Sequence, residues 1–330
     1  MDGTQQTDNA QATLWNGLAG GAWVAWQESL DQIVTPFEDV LVDAVSLGPG
    51  GRVLDVGCGT GSTTLAVARL LGAKGRGIGI DIADAMIAAA RSRAAREGMP
   101  ARCICANAQA HTFEPASFDM IMSRFGVMCF DDALRAVANL RRAATDNAEL
   151  RFVAWRSAAE HPCMTTAKRA AAPLLPNLPA HPPDAPGQFA FAHGYRVYTI
   201  LEESSWAEID IRRIDGACAL PEKALVPSLT RLGPVGRILQ ETDDRTRAHV
   251  IATVRAAFDP SVHGAEVQCT AACWMVSAQA RSAEDAVRKS GHIEDWLREA
   301  GFEHVRTQTR MSKPVAVGAV LASVSACGLT

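Results

Sequence analysis

The sequence predicts an α/β protein built on a doubly wound, mostly parallel, seven-stranded sheet, with helices before it and a helical insertion after it. Three observations support this prediction. Short apolar runs alternate with helical patterns from residue 52 to residue 155, a glycine-rich turn follows the first of these runs, and the pattern changes after Trp155. Strand–helix alternation at this spacing is typical of parallel strands joined by right-handed crossovers.

The chain is expected to begin with a polar, disordered tail (residues 1–13), followed by N-terminal cap helices (residues 14–50). From Ala22, apolar residues recur at steps of three and four, which predicts an amphipathic helix. Thr35-Pro36-Phe37-Glu38 has the pattern of a capping box with proline at the first helical position. A second helix is therefore predicted from there to about Val45, where Gly48-Pro49-Gly50-Gly51 ends it.

The core of the sheet is expected within residues 51–160. Strands are predicted at 52–56, 75–81, 102–106, 118–123 and 149–155, and helices at 62–71, 83–96 and 131–142. Apolar residues fill the strand segments, and glycine or proline separates most of the elements.

The region 161–277 is expected to hold a proline-rich lid, substrate-covering helices and the remaining strands. Its predicted elements are a loop at 173–186, helices at 195–204 and 235–258, and strands at 208–214 and 267–276. A helix that leads into a strand occurs at 197–214 and again at 293–309, within an expected C-terminal helix–strand extension (residues 278–330). Either copy could complete the sheet.

The composition is that of an ordinary globular protein with a sizeable core. Of the 330 residues, 48% are hydrophobic and 21% charged, and the net charge is −4. This balance disfavours nucleic acid or a membrane surface as a partner. The N-terminus lacks a secretory signal, and the apolar tail 314–329 is too short to span a bilayer, so we expect a soluble, cytoplasmic protein.

The nine cysteines do not have the spacing of a metal site. No paired CxxC occurs, and Cys103 and Cys105 alternate on a predicted strand, while Cys269 and Cys273 lie in an apolar stretch. We expect reduced, buried thiols and no bound metal.

The candidate binding site begins at the turn after the first predicted strand, where Gly57, Gly59 and Gly61 alternate with other residues. Glycine lets the backbone adopt positive φ and removes the Cβ that would block a ligand. In open α/β sheets, ligands bind at the carboxyl ends of strands, where the following helix presents free N–H groups. The placement of these glycines between a strand and a helix, with Asp55 inside the strand, predicts a nucleotide-type cofactor.

Asp81 ends the second predicted strand, 24 residues after Gly57. A carboxylate about 20 residues beyond the glycine turn is typical of βαβ units that bind adenosine, where it accepts hydrogen bonds from the ribose hydroxyls. The alternative is a solvated aspartate at a strand end. With the glycine turn upstream, we favour the binding role.

These residues carry a family resemblance. The run VLDVGCGTGSTTLAVA, followed by GIDI, resembles the class I S-adenosylmethionine-dependent methyltransferases, which have a Rossmann-like fold. The similarity continues through CANAQ, SFDMIMSRFGVMCFDD and ELRFVAW, and includes WNGLAGGAW and APGQFAFA. It extends over about residues 14–215, and less clearly to 277.

The resemblance implies S-adenosylmethionine as cofactor and methyl transfer to an O, N or C atom of a small organic acceptor. It also implies roles for individual residues: the glycines and Asp55 at the methionine moiety, Asp81 at the ribose, Ile82 and Met86 at the adenine, Asn107 and Ala108 at the adenine amine, Ser123 beside the cofactor centre, and Trp23 over the cofactor. Asn107 departs from the family pattern, which commonly has an aspartate there. An amide oxygen can still accept from the amine.

Other classes compete with this interpretation. A nicotinamide dehydrogenase would carry GxGxxG, whereas this chain has GxGxG at residues 57–61. A macromolecule methyltransferase and a non-catalytic cofactor-binding protein also remain open, the latter because of Asn107. We expect a monomer or a homodimer.

The sequence identifies no catalytic base. His111, His161, His181 and His193 are the candidates, and His161 and His193 have the more suitable positions because they follow the fifth strand and flank the proline loop. Arg124, Arg156 and Arg196 are expected to face solvent at the ends of elements.

Overall fold

The computed structural model describes residues 10–48, 50–179 and 185–281. The chain divides into two units, residues 1–280 and 281–330, and the fold below is that of the first unit. The second predicted helix–strand copy, at 293–309, lies outside the described residues, as does His181.

The central sheet has the order β3-β2-β1-β4-β5-β8-β6, with a short β7 beside β8. The strands are β1 (Arg52–Val56), β2 (Arg76–Asp81), β3 (Arg102–Cys105), β4 (Phe118–Arg124), β5 (Ala144–Trp155), β6 (Trp206–Pro221), β7 (Val262–His263) and β8 (Glu266–Ala280). β1 to β5 pair in parallel, while β8 runs antiparallel to both β5 and β6. The doubly wound, mostly parallel sheet is therefore confirmed, with the two-residue β7 as an eighth strand.

The strand order places helices on both faces of the sheet. The helices are α1 (Ala10–Asn16), α2 (Leu18–Ala25), α3 (Gln27–Asp43), α4 (Ser62–Leu71), α5 (Asp84–Arg96), α6 (Ala133–Ala143), α7 (Pro162–Ala171), α8 (Gly194–Glu203), α9 (Glu222–Leu229), α10 (Gly233–Gln240) and α11 (Asp244–Ala256). The path β1–β2–β3 leads away from the centre in one direction and β4–β5 in the other, so right-handed crossovers put α4 and α5 on the face opposite α6. α8 packs beside α6.

The N-terminal helices differ from the predicted pattern. The helical break falls at Trp26, and α3 continues through Pro36, so the prediction of a helix start at Thr35 is wrong. The hydroxyl of Thr35 donates to the carbonyl of Asp31, 2.8 Å away, instead of capping the next turn. Burial of Val34, Phe37 and Leu41 favours an uninterrupted helix, although proline lacks an N–H and is unfavourable there. α1 also includes residues 10–13, for which the sequence predicts a disordered tail, so that prediction is wrong there.

The cap region, residues 162–178 with α9 to α11 (residues 222–256), has an apolar cluster of its own. Ala171, Leu175, Leu225, Val235, Leu239, Val250 and Val254 are buried there. The single helix predicted at 235–258 is two helices, because Asp243 accepts a hydrogen bond from the backbone N–H of Thr246 and caps a new start. The first predicted helix–strand copy, residues 197–214, supplies α8 and β6, so it completes the sheet together with β8.

A disulfide joins Cys163 on α7 to Cys269 on β8, across 106 residues of sequence. The expectation of reduced cysteines throughout is therefore wrong for this pair. Sequence spacing could not reveal it, because the two residues meet only once the cap has packed on the sheet. Cys58, Cys103, Cys105, Cys129, Cys218 and Cys273 are free thiols, of which Cys105 and Cys129 are only partly buried.

Among the described residues, no helix has the length and apolar character needed to cross a membrane.

Candidate cofactor and acceptor site

The site lies at the point where the strand order reverses, between β1 and β4, at the carboxyl ends of both strands. The turns that follow these two strands touch each other. A Cβ at Gly57 would lie 2.6 Å from the Cα of Gly126, and a Cβ at Gly126 would lie 2.5 Å from the carbonyl oxygen of Val56. Only glycine fits at either place, because the obstructing atoms belong to the backbone.

The three glycines of the turn share positive φ, at +69° for Gly57, +54° for Gly59 and +86° for Gly61. Their surroundings differ. A Cβ at Gly61 would be 2.9 Å from the Cβ of Ala90 on α5, whereas a Cβ at Gly59 would meet nothing nearer than the sulfur of Met86 at 3.8 Å. The missing Cβ at Gly57 and Gly61 thus allows the turn to pack against Gly126 and Ala90. At Gly59 the missing Cβ leaves open space for a ligand.

Asp81 is fixed by the backbone on both sides of its carboxylate. Oδ2 accepts from the N–H of Gly59 and Oδ1 from the N–H of Ala83, each at 2.9 Å. Burial raises the pKa of this half-buried carboxyl, while the N–H groups of Ala83 and Gly59 act in the opposite direction. Each oxygen keeps a lone pair for a further donor, which is what a pair of ribose hydroxyls requires.

Asp55 lies below the turn, not in it. Only 2% of this residue is exposed, and its Oδ2 accepts from the hydroxyl of Thr64 at 2.6 Å. Burial raises the pKa of its carboxyl to about 6, against the opposing effect of the Thr64 hydrogen bond. Asp55 is therefore placed to act on a ligand indirectly, by supporting the glycine turn and through the field of its own charge, and not by direct contact.

Four residues lie around the expected adenine position. Ile82 is partly buried after β2, and Met86 is buried on α5 beside the open space over Gly59. The amide oxygen of Asn107 accepts from the N–H of Gln109 at 3.0 Å, closing a tight turn after β3. The carbonyl of Ala108 accepts from the amide of the buried Asn139 at 2.8 Å, which anchors that turn to α6.

The side chain of Ser123 is committed to the protein. It is completely buried, its hydroxyl donates to the carbonyl of Val56 at 2.7 Å, and it accepts from the N–H groups of Gly126 and Val127. Ser123 therefore holds the turn after β4 against the turn after β1. This arrangement leaves its hydroxyl no free direction toward a ligand.

The N-terminal helices reach the cofactor side through Asn16, a residue that sequence reasoning missed. Its amide donates to the carbonyl of Ile82 at 3.1 Å, and its oxygen accepts from the N–H of Asp84 at 2.8 Å. Trp23 is 39% exposed and packs edge-on against Trp15, with ring centroids 6.0 Å apart. In the sequence, the only indication that Asn16 has a role at the site was its position within the WNG segment.

A charged cluster, formed by Asp31, Glu38, Arg93 and Arg124, stands beside the glycine turn and was also missed. Arg93 donates to Asp31 at 2.8 Å and to the carbonyl of Thr60 at 3.3 Å. Arg124 lies 3.7 Å from Asp31 and 3.5 Å from Glu38, and its side chain is only 13% exposed. The expectation that Arg124 faces solvent is wrong, since α3 brings two carboxylates over it.

Arg156 is likewise buried, at 5% exposure, contrary to expectation. Its guanidinium donates to Glu160 and Asp215, both at 2.8 Å. It also packs against the ring of Trp274. These contacts tie the end of β5 to β6 and β8.

An aromatic group adjoins the turn after β4. Phe125 stacks on Trp155 with centroids 3.9 Å apart and planes within 3°, and Phe37 of α3 packs edge-on against both rings. His161 packs edge-on against Trp155 at 5.2 Å and tilted against Phe189 at 5.8 Å. His193 is exposed before α8, and His111 packs against Phe113, away from this group.

The chain is similar to known proteins over part of its length. Residues 53–147 match the family described as a methyltransferase domain. Aklanonic acid methyltransferase DauC from a Streptomyces species is 36% identical over 108 residues, which are 32% of this chain and 49% of DauC. An uncharacterised protein of Mycobacterium tuberculosis is 33% identical over 125 residues, 38% of this chain and 44% of that protein. The chain thus spans about half the length of the curated relatives it matches.

The fold has solved counterparts. The crystal structure of the YcgJ protein from Bacillus subtilis superposes with a TM-score of 0.52 at 15% identity, covering 76% of this chain and all of that one. This likeness concerns the fold alone. The family match shows a methyltransferase domain at residues 53–147, and this is the class of protein that the fold and the site define.

S-adenosylmethionine is the cofactor of this class, and the described residues fit it. The open space at Gly59 admits a ligand close to the backbone, and the fixed carboxylate of Asp81 retains acceptor capacity at the tip of β2.

Proposed function

We propose that this protein transfers the methyl group of S-adenosylmethionine to a small organic acceptor. The observation that carries the proposal is the paired turn at the strand-order reversal, where Gly57 meets Gly126 and the aromatic group begins one residue away, at Phe125. Cofactor and acceptor would meet across this turn. Methyl transfer needs mainly alignment and exclusion of water, because the sulfonium already activates the methyl.

In this proposal, Asp81 holds the ribose hydroxyls, and the turn shaped by Gly57, Gly59 and Gly61 lies against the methionine moiety, with the closest approach at Gly59. Asp55 and Ser123 support the two turns. The adenine contacts Ile82, Met86, Asn107 and Ala108. Trp23, on the N-terminal helices, covers the cofactor. Asn16 joins those helices to the adenosine end.

A small acceptor is supported by the cap region, whose helices pack against β6 and β8 and have an apolar cluster of their own. DauC is named for a small acceptor, aklanonic acid. Between α2 and the cap lies an open cleft of about 690 Å³, lined by Leu18, Ala22, Arg231, Leu239 and Arg247 among others, and its lining includes no residue of the paired turn or of the aromatic group. DNA and RNA are not the proposed acceptors, given the net charge of −4.

The test begins with calorimetric titration of the full chain with S-adenosylmethionine, S-adenosylhomocysteine and NAD⁺. The first two are expected to bind and the third is not. Binding of NAD⁺ alone would contradict the proposal. Incubation with S-adenosylmethionine labelled in the methyl group, together with mixtures of small phenols, amines and carboxylic acids, then identifies the acceptor class.

A non-catalytic cofactor-binding protein is the second candidate, because Asn107 replaces the usual carboxylate and uses its oxygen within its own turn. The two candidates differ in turnover. A catalyst accumulates S-adenosylhomocysteine with an acceptor present, whereas a binding protein returns the cofactor unchanged.

We further propose a cytoplasmic protein that is a monomer or a homodimer. Sedimentation equilibrium measures the assembly. Stable disulfides are rare in the cytoplasm. Thiol trapping in intact cells measures whether Cys163 and Cys269 are bridged there.

A further inference from the structure

His161 occupies a protected position at the start of the cap. It precedes Pro162 at the beginning of α7, and only 1% of the residue is exposed. Its ring lies between Trp155, from the end of β5, and Phe189, from the segment that follows the proline-rich loop. That segment is tied down by a hydrogen bond from the N–H of Gly187 to the carbonyl of Met128, at 3.0 Å.

One ring nitrogen of His161 has a partner and the other has none. The carbonyl of Ala272 acts on the imidazole as a hydrogen-bond acceptor, and Nε2 is buried without a partner, so we assign the contact with Ala272 to Nδ1. A carbonyl only accepts, and therefore Nδ1 carries the proton and Nε2 presents a lone pair. A buried acceptor without a donor is unfavourable, and a ligand hydroxyl that donates to Nε2 removes this cost.

The ring stays neutral near pH 7. Burial lowers the pKa of His161, and the charge of Arg156 adds to this effect. The carbonyl of Ala272 and the carboxylates of Glu160 and Asp215 oppose it. Arg156 is itself neutralised by Glu160 and Asp215, at 2.8 Å each, and Arg213 lies 3.3 Å from Glu160.

A continuous set of contacts joins His161 to the glycine turn. His161 packs on Trp155, Trp155 stacks on Phe125, and the next residue, Gly126, touches Gly57. An acceptor that touches both the turn and Nε2 of His161 would therefore lie against the rings of Trp155 and Phe125.

We propose that His161 is a catalytic residue that receives the hydroxyl of a planar phenolic or enolic acceptor, so that the reaction is an O-methylation. This inference rests on the proposed methyl transfer. The acceptor oxygen forms a bond to the methyl carbon as the carbon–sulfur bond breaks, and the hydroxyl proton passes to Nε2. S-adenosylhomocysteine and the methyl ether leave neutral, and the imidazolium, stabilised by Glu160 and Asp215, returns its proton to water.

The chain offers a matched control for this histidine. His161 and His193 both immediately precede a cap or sheet-flanking helix, α7 and α8 respectively, and neither side chain caps its helix. His193 is exposed and outside the aromatic group. His161→Asn keeps a donor near Ala272 and removes Nε2, whereas His161→Gln keeps a polar atom near the Nε2 position but cannot take up a proton.

The experiment titrates the protein saturated with S-adenosylhomocysteine with 1-naphthol and 4-nitrophenol. In the wild type and in His193→Asn, both phenols are expected to bind, and bound 4-nitrophenol is expected to show the phenolate absorption band below the pH at which it ionises in water. His161→Asn is expected to lose the band and bind both phenols more weakly, by roughly 10- to 100-fold. His161→Gln is expected to recover part of the affinity without the band.

Methylation rates provide the second readout. If 1-naphthol is methylated, His161→Asn is expected to lower the rate roughly 100-fold, within the range typical of a missing general base. The rate of the wild type is expected to fall at low pH as the imidazole gains a proton, and this fall should be absent in the variant.

Two outcomes overturn the inference while leaving the proposed function intact. One is a His161→Asn protein that binds both phenols like the wild type and shows the same band. The other is a wild-type protein that binds S-adenosylhomocysteine but neither phenol. Failure to bind S-adenosylhomocysteine would count against the proposed function itself.

Discussion

Two aspartates at the ends of neighbouring strands have different environments. Asp81 is at the surface of the site with both oxygens held by backbone N–H groups, whereas Asp55 is enclosed beneath the glycine turn beside Thr64. Both were identifiable from the sequence because their positions relative to the glycines are local. The charged cluster and Asn16 were not, since each depends on pairings between residues distant in the chain, such as Arg93 with Asp31.

Asp81→Asn is expected to weaken S-adenosylmethionine binding by roughly 10- to 100-fold. An amide must turn its NH₂ toward the N–H of Gly59 or of Ala83, so one backbone donor loses its acceptor. Calorimetry measures the effect. Asp84→Asn, an exposed neighbour three residues further on, is the control and should leave affinity within about twofold. Equal affinity in the two variants would contradict the role of Asp81.

Asp55→Asn is expected to stabilise the protein at pH 7 to 8 and to weaken cofactor binding. The folded carboxyl titrates at about 6 and the unfolded one at 3.8, so the folded state holds the proton more tightly. The contribution of Asp55 to stability is therefore greatest below pH 4 and falls as the pH rises through 6, by on the order of 3 kcal/mol. Asp55→Asn cannot ionise and therefore avoids this loss of stability.

Thermal unfolding of wild type and Asp55→Asn from pH 4 to pH 8 provides the measurement. The melting temperatures should coincide near pH 4 and separate as the pH rises, with the variant higher. A constant difference across the range would show that ionisation of Asp55 is not its source.

At the scale of elements, the predicted strands and the helices of the core were confirmed because each carries its own periodicity and its own glycine or proline boundary. Two boundaries went wrong for physical reasons. α3 runs through Pro36 because tertiary packing of its apolar side outweighs a local capping signal. The helix predicted at 235–258 divides because Asp243 caps a second start.

The turn between β1 and α4 yields a paired prediction. Gly59→Ala is expected to fold with a loss of only about 1–2 kcal/mol, since φ is +54° but no atom lies within 3.8 Å of the new Cβ. Its methyl group enters the space assigned to the cofactor, so binding should be lost.

Gly57→Ala is the contrasting variant. It carries the same backbone strain and adds a collision with the Cα of Gly126, so a markedly larger loss of stability is expected. Urea unfolding and calorimetry with S-adenosylmethionine measure both quantities. If Gly59→Ala binds S-adenosylmethionine with wild-type affinity, the cofactor does not lie on that side of the turn.

For the whole molecule, the sequence predicted a sheet with a covering insertion but not how the two are linked. The link is the disulfide between α7 and β8, whose partners are 106 residues apart and so leave no local pattern. The aromatic group was equally out of reach, because it draws its members from α3, β5, the turns after β4 and β5, and the segment before α8.

Reduction of this disulfide is expected to lower the melting temperature without changing cofactor affinity. Closing a loop of this length contributes at most about 4–5 kcal/mol through the entropy of the unfolded chain. The cofactor residues, 55–126, lie outside the bridged loop. Thermal unfolding with and without dithiothreitol measures the effect, and a Cys163→Ala/Cys269→Ala protein serves as the control that should not respond.

The position of β8 between β5 and β6 bears on the order in which a newly made chain can assemble. β6 is synthesised before β8, and within residues 10–281, as far as the structure describes them, β8 is its only partner strand, so β6 gains this pairing once residues 266–280 have emerged from the ribosome. Throughout that interval, one side of β5 is an open edge, of the kind that promotes association between nascent chains. Chains halted before residue 266 should therefore be the species most in need of chaperones.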